Sequence, residues 1–168
     1  MLNIFIIQPT RGTLMENAVR EIMSKNLETI DVTQNAQDAA KKMNDKRISS
    51  VLVVDKAEEN KEPIGIVTER DLVIRVCAAG MSSKEIGVRG IMSSPIVTVE
   101  PQATVETAAD LMLSNKVRHL LVIDERTRKP MGIIAPTDLN KYLRGNIDMD
   151  EVNARILEAI RVEELTEP

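Results

Sequence analysis

Two short segments carry the side chains best suited to binding chemistry. Thr68-Glu69-Arg70-Asp71 and Ala135-Pro136-Thr137-Asp138 each end in an aspartate where an extended run gives way to a helical pattern. A carboxylate at a helix start has two ordinary uses. It can reach back to close a capping box, with a Ser or Thr three residues earlier capping the helix. It can also accept the two hydroxyls of a ribose, leaving the helix amides free for phosphate. Thr68 suits the capping box, whereas Ala135 has no hydroxyl, so side-chain capping alone does not explain both aspartates. A second kind of position precedes each buried aliphatic run: Lys46-Arg47-Ile48-Ser49-Ser50 and Lys116-Val117-Arg118-His119. An arginine there either snorkels from the sheet edge or grips a phosphate with both arms of its fork. His119 beside Arg118 is a candidate second donor.

Chemistry of other kinds is poorly supplied. His119 is the single histidine and Cys77 the single cysteine, so neither a multi-histidine metal site nor a cysteine pair at metal spacing exists. There is no Walker-type loop and no G-x-G-x-x-G. With no recognisable catalytic constellation, the chain is expected not to be an enzyme and to need no catalytic cofactor. The net charge of −4 and an aromatic complement of only Phe5 and Tyr142 oppose nucleic-acid binding through phosphate or base stacking. Cys77 lies in the apolar run from Leu72 to Ala79 and reads as a buried small hydrophobe. A lone cysteine suits a reducing compartment, and the opening apolar segment is too short to span a bilayer, so a cytoplasmic protein without membrane contact is expected.

The elements that position these residues occur twice. Arg20-Glu21-Ile22-Met23-Ser24 returns as Arg89-Gly90-Ile91-Met92-Ser93, an offset of 69 that persists from Asp55 to Asp124 and becomes 67 from Asp71 to Asp138. A duplication on this scale predicts two subdomains about a pseudo-twofold axis. Each unit reads as β-α-β-β-α. In the first, Thr29 to Val32 is extended, and Asn35 caps a helix whose Ala36, Ala39, Ala40 and Met43 form one stripe. Thr104, Val105, Ala108, Ala109 and Met112 repeat that pattern. Val51 to Val54 and Leu120 to Ile123 read as strands buried on both faces. Each forms a hairpin with the strand that follows, Ile64 to Val67 and Met131 to Ile134. Helices then begin near Asp71 and Asp138, with Gly80 and Gly145 as stops. The expected organisation is α+β: an N-terminal arm with strand and helix over 1–18, repeats over 19–86 and 87–145, and a C-terminal amphipathic helix over 146–168.

The paired motifs Gly-Ile-Val-Thr-Glu-Arg-Asp-Leu and Gly-Ile-Ile-Ala-Pro-Thr-Asp-Leu, each with Ile-Met-Ser before its repeat, resemble a stand-alone tandem CBS-domain pair, or Bateman module. The resemblance covers about Val19 to Arg144. It implies two repeats packed through their sheets, with two pseudo-symmetric clefts for adenosine-containing ligands. AMP, ADP or ATP is the implied ligand, with S-adenosylmethionine a further candidate and Mg²⁺ a companion of ATP. Carried onto this chain, one cleft combines Ile66, Val67, Thr68, Arg70 and Asp71 with Pro95, Ile96, Val97, Arg118 and His119. The other combines Ile133, Ile134, Thr137 and Asp138 with Asn26, Leu27, Ile48 and Ser49. Ala135 departs from the family's Ser or Thr, and the second cleft lacks the Arg118–His119 pair, so the Asp71 cleft ranks first for phosphorylated ligands. The expected function is a regulatory sensor of adenine nucleotides, homodimeric, acting on a separate effector protein. The alternative is a dimerisation or assembly module with vestigial clefts.

Overall fold

In the computed structural model the described residues are 18–58 and 62–146; the expected N-terminal arm over 1–18 and C-terminal helix over 146–168 lie outside them except for residues 18 and 146. After a single turn α1 (Val19–Ile22), the first repeat runs β1 (Thr29–Asp31), α2 (Ala36–Lys46), β2 (Ser50–Val54), β3 (Pro63–Thr68) and α3 (Glu69–Asp71). The second runs from α4 (Val88–Ile91) through β4 (Thr98–Val99), α5 (Val105–Ser114), β5 (Leu120–Ile123) and β6 (Pro130–Ile134) to α6 (Pro136–Asn146). Each repeat therefore has the expected β-α-β-β-α order. Its three-stranded sheet places β2 or β5 in the middle, parallel to the preceding strand and antiparallel to the following one. Gly145 does not stop α6, which continues to Asn146. Among the described residues no helix is long and apolar enough to cross a membrane.

The helix starts follow from local chemistry. Asn35 caps α2 through the amide of Asp38 at 3.0 Å, and Thr104 caps α5 through the amide of Thr107 at 3.1 Å. Aliphatic side chains then sort into three cores. Ala36, Ala39 and Met43 of α2 close over Ile30, Val51, Val53 and Val67, and Ala108 and Met112 of α5 close over Val99, Leu120, Val122 and Ile134. The opposite faces of the two sheets meet each other through Leu52, Ile66, Leu121 and Ile123. This sheet-to-sheet seam is the expected packing, and every residue of β2 and β5 is buried because each strand serves two cores.

The segments ahead of the repeats are exchanged. Ser24, which leads into the first repeat, pairs antiparallel with Ile133 in β6, through reciprocal bonds of 2.9 Å. Ser93, which leads into the second, pairs with Ile66 in β3 at 2.8 and 3.0 Å. Each Ile-Met-Ser motif thereby lays its methionine on a glycine of the other repeat's sheet. A Cβ built on Gly65 would stand 2.5 Å from the Met92 sulfur, and one on Gly132 would stand 2.6 Å from the Met23 sulfur.

A further expectation fails. Cys77 is exposed. From Leu72 to Cys77 the helix after Asp71 winds as a π-helix, with Ala78 N–H donating to the Val73 carbonyl at 2.8 Å. The wider turn moves burial to Val76, five residues after buried Asp71, and turns Val73, Ile74 and Cys77 outward.

Candidate functional site: two clefts between the repeats

Two cavities open where the sheets meet the helix corners. The first, of about 290 Å³, is lined by Ile66, Thr68, Arg70 and Asp71 from one repeat and by Pro95, Ile96, Val97, Arg118 and His119 from the other. The structure thus brings together every residue expected there except Val67, which is fully buried in the first repeat's core. Strand alternation explains the difference, because Ile66 and Thr68 share the face opposite to Val67. Ile74, Arg75, Ser93, Lys116 and Val117 also line this cavity. Ser93 had a readable signal, its place in the Ile-Met-Ser motif; Arg75 lies one turn beyond Asp71.

The second cavity is the larger, about 610 Å³. Asn26, Leu27, Ile48, Ser49, Ile133, Thr137 and Asp138 line it as expected. Ile134 does not; it is fully buried in the second repeat's core by the same alternation. Arg47, Glu28, Glu69 and Ala135 are among the further lining residues. Arg47 ends α2 with φ of 53°, and Lys116 holds φ of 55° at the matching place after α5. Both hold a left-handed conformation that glycine adopts more readily, and each lines a cleft, Lys116 the first and Arg47 the second.

The two aspartates are held differently. Asp71 is buried, and its Oδ2 accepts from the Thr68 backbone N–H at 2.9 Å and the Thr68 hydroxyl at 2.6 Å. Its Oδ1 accepts from the Ser93 hydroxyl at 3.3 Å and lies 3.5 Å from Arg75 Nε. The Asp71 N–H in turn donates to Thr68 Oγ1 at 3.3 Å, which completes the capping box. Asp138 Oδ2 accepts from the Ala135 N–H at 2.9 Å. Half of the capping box therefore persists without a hydroxyl, since the backbone amide supplies the donor. The loss of Thr68's counterpart does not by itself remove capping as a role for Asp138.

His119 lines both cavities and a smaller one of about 200 Å³ between the two corners. Its Nε2 lies 2.9 Å from Ser49 Oγ, across the seam between the repeats, while its Nδ1 is buried without a partner. Burial pushes its pKa down to about 4, the Arg118 charge adds to the effect, and the Asp71 carboxylate opposes it. The imidazole is thus neutral at pH 7. Because the folded value lies below the unfolded one, near 6.5, this site binds protons better when unfolded. Its contribution is complete above about pH 6.5 and is lost as the pH falls towards 4, a total of roughly 3 kcal/mol. Urea titrations of the wild type and His119→Gln should show a stability difference that shrinks in favour of the variant across that window. A pH-independent difference would contradict the assignment.

Among the described residues no cluster of three or more His, Cys, Asp or Glu is arranged to hold a metal ion. The two cavities offer aliphatic walls from Ile66, Ile96, Leu27 and Ile133, a carboxylate at each helix corner, and basic side chains among their lining.

The family model for the CBS domain matches residues 19–77 and again 88–145. An uncharacterized protein of Methanopyrus kandleri is 38% identical over 122 residues, which cover 73% of this chain and 60% of that protein, so the match spans under two thirds of the relative. A CBS domain-containing protein of Bacillus subtilis is 28% identical, over 73% of this chain and 83% of its own length. Among solved structures, a protein with CBS domains from Burkholderia ambifaria superposes with a TM-score of 0.71 at 32% identity, covering 77% of this chain and 96% of the other. The hexameric CBS-CP12 protein of bloom-forming cyanobacteria gives 0.68 at 31% identity, over 87% and 86%. Two matched repeats, exchanged lead segments and a shared sheet seam have one conclusion: the chain belongs to the CBS-domain family, as a tandem pair.

Proposed function

We propose that this CBS pair is a regulatory module that binds adenosine-containing nucleotides, AMP, ADP or ATP, between its repeats and transmits occupancy to a partner protein. The observation that carries the reading is the repeated corner. Each cavity sets an aspartate at the start of a helix, against aliphatic walls contributed by both repeats. A ribose matches the carboxylate, and an adenine matches the aliphatic slot. Because both repeats wall each cleft, a ligand bound there contacts both at once and biases their relation through differential affinity for two arrangements. The inosine-5'-monophosphate dehydrogenase of Nitrosopumilus maritimus is 31% identical to this chain over only 24% of its length, which supports a pair of this kind as an attachment to a separate catalytic body. We take the effector here to be another protein.

Thermal unfolding with AMP, ADP, ATP, S-adenosylmethionine and NAD tests the reading. A ligand at about 100 times its Kd stabilises by about 2.7 kcal/mol, a shift of several degrees for a domain of this size. A rise with at least one adenine nucleotide is expected. No rise with any of them would favour the second reading, an assembly module with vestigial clefts. That alternative rests on one observation: Val73 and Ile74, adjacent on the helix beyond Asp71, are 59% and 51% exposed, apolar surface that a second copy of the chain could cover. A homodimer fits either reading.

A further inference from the structure

Arg75 ties the Asp71 corner to a segment of the other repeat. Its Nη1 donates to the carbonyls of Ile91 at 2.7 Å and Met92 at 2.8 Å, and its Nη2 donates to the Ser93 hydroxyl at 3.3 Å. Ile91 ends α4, so these carbonyls belong to a helix terminus, where intrahelical donors run out and a basic side chain is a common substitute. All three acceptors lie in the lead segment of the second repeat, which pairs with β3 through Ser93 and Ile66. On its other side the Arg75 Nε stands 3.5 Å from Asp71 Oδ1. One guanidinium therefore holds the corner carboxylate and the lead segment together. The second repeat differs here: the 67-residue register puts Tyr142 in the place of Arg75, and a phenol has a single donor.

The two oxygens of Asp71 are unequally engaged. Oδ2 accepts from the Thr68 N–H at 2.9 Å and its hydroxyl at 2.6 Å. Oδ1 has the Ser93 hydroxyl at 3.3 Å and Arg75 at 3.5 Å. Both are longer than the lengths of about 2.5–2.9 Å usual for bonds to a carboxylate. Oδ1 is thus the oxygen that a ligand hydroxyl wins most readily. Asp71, Ser93 and Arg75 all line the cavity, so a ligand there reaches the junction itself. A hydroxyl bonded to Oδ1 at ordinary length takes the lone pairs that Ser93 and Arg75 share.

We propose that Asp71, Ser93 and Arg75 form a latch that a ligand opens: a hydroxyl donating to Asp71 Oδ1 displaces Ser93 and Arg75, and the lead segment of the second repeat loosens from β3. The latch rests on the nucleoside-binding reading given above and extends it by naming the route through which occupancy of this cleft leaves the site. A ligand that bonds better to the opened arrangement than to the closed one shifts the balance between them. The Asp138 cleft, which has no arginine in this place, fills without that signal.

Amide hydrogen exchange reads the latch. Ile66 and Ser93 bond reciprocally across it, and Ser24 and Ile133 form the matching pair in the other repeat and serve as reference. Without ligand, Arg75→Met should speed exchange at Ile66 and Ser93 about tenfold relative to that reference, and Ser93→Ala about threefold. The Arg75 side chain is 43% exposed, so its replacement removes no core packing. In the wild type, saturating AMP should speed the same two amides about threefold or more. Saturating 2′,3′-dideoxyadenosine monophosphate, which lacks the hydroxyls, should not, and AMP should add nothing in Arg75→Met. Exchange in Arg75→Met equal to the wild type, or AMP that binds by calorimetry yet slows both pairs alike, would overturn the latch while leaving nucleotide binding intact. Absence of AMP binding to the wild type would remove the nucleotide reading, and the opening of the latch with it.

Discussion

Gly132→Ala is expected to cost about 3 kcal/mol of stability, and Gly65→Ala clearly less, about 1–2 kcal/mol. Both glycines lie under a methionine from the lead segment of the other repeat, but their neighbours differ in kind. A Cβ at Gly65 meets only the Met92 side chain, at 2.5, 2.9 and 3.2 Å. A flexible thioether can swing aside at modest cost. A Cβ at Gly132 meets the Met23 sulfur at 2.6 Å and also the Ser24 backbone oxygen at 2.7 Å. That oxygen accepts the Ile133 N–H at 2.9 Å, so it cannot withdraw without breaking the pairing that fastens the first lead segment to β6. Urea denaturation of both variants, each alone and with the facing methionine cut to Ala, separates the two cases. Met92→Ala should rescue most of the Gly65→Ala loss, whereas Met23→Ala should rescue little of the Gly132→Ala loss. Equal costs, or full rescue of Gly132→Ala, would mean that the lead segments are not locked as described.

Asp71→Ala should cost about 3 kcal/mol, while Asp138→Ala should cost about 1 kcal/mol. Removing the Asp71 carboxylate strips an acceptor from the Thr68 N–H and hydroxyl and the Ser93 hydroxyl, and leaves Arg75 without its anion. Asp71 itself is buried, so water entering the cleft replaces only part of this set. Removing the Asp138 carboxylate releases the Ala135 N–H. Because Asp71→Ala perturbs the fold as well as the proposed ribose contact, Asp71→Asn is the better probe of binding. It retains shape and an acceptor oxygen, and it should weaken nucleotide binding in that cleft about tenfold or more while costing roughly 1–2 kcal/mol in stability. Denaturation midpoints give the stability order; unchanged nucleotide affinity in Asp71→Asn would move the ribose elsewhere.

Most of the architecture was legible because the chain repeats. A helix seen once through Ala36, Ala39 and Met43 and again through Ala108 and Met112 is read twice, and the buried runs of β2 and β5 announce strands between two cores. The site was legible to the extent that it follows the repeated Asp and the basic entrance to each central strand. Four features were not. The exchange of lead segments is a pairing between positions far apart in the chain, Ser24 with Ile133 and Ser93 with Ile66, and no local pattern encodes it. Cys77 was placed inside because its neighbours from Leu72 to Ala79 are apolar, and a run of apolar types does not reveal that the helix after Asp71 winds as a π-helix and turns that residue outward. At Asp138 the side-chain pattern suggested that capping was lost, but the backbone amide of Ala135 needs no particular residue to be a donor. Val67 and Ile134 belong with this group, since a motif names consecutive residues while a strand shows a cleft only alternate ones.

Isothermal titration of the full chain with AMP tests the central claim most directly, with Arg118→Gln run beside it. Saturable binding in the micromolar range, about 8 kcal/mol, is predicted for the wild type, with affinity reduced about tenfold or more in the variant and falling as salt rises. No saturable heat up to millimolar AMP, or binding indifferent to both Arg118 and salt, would contradict it.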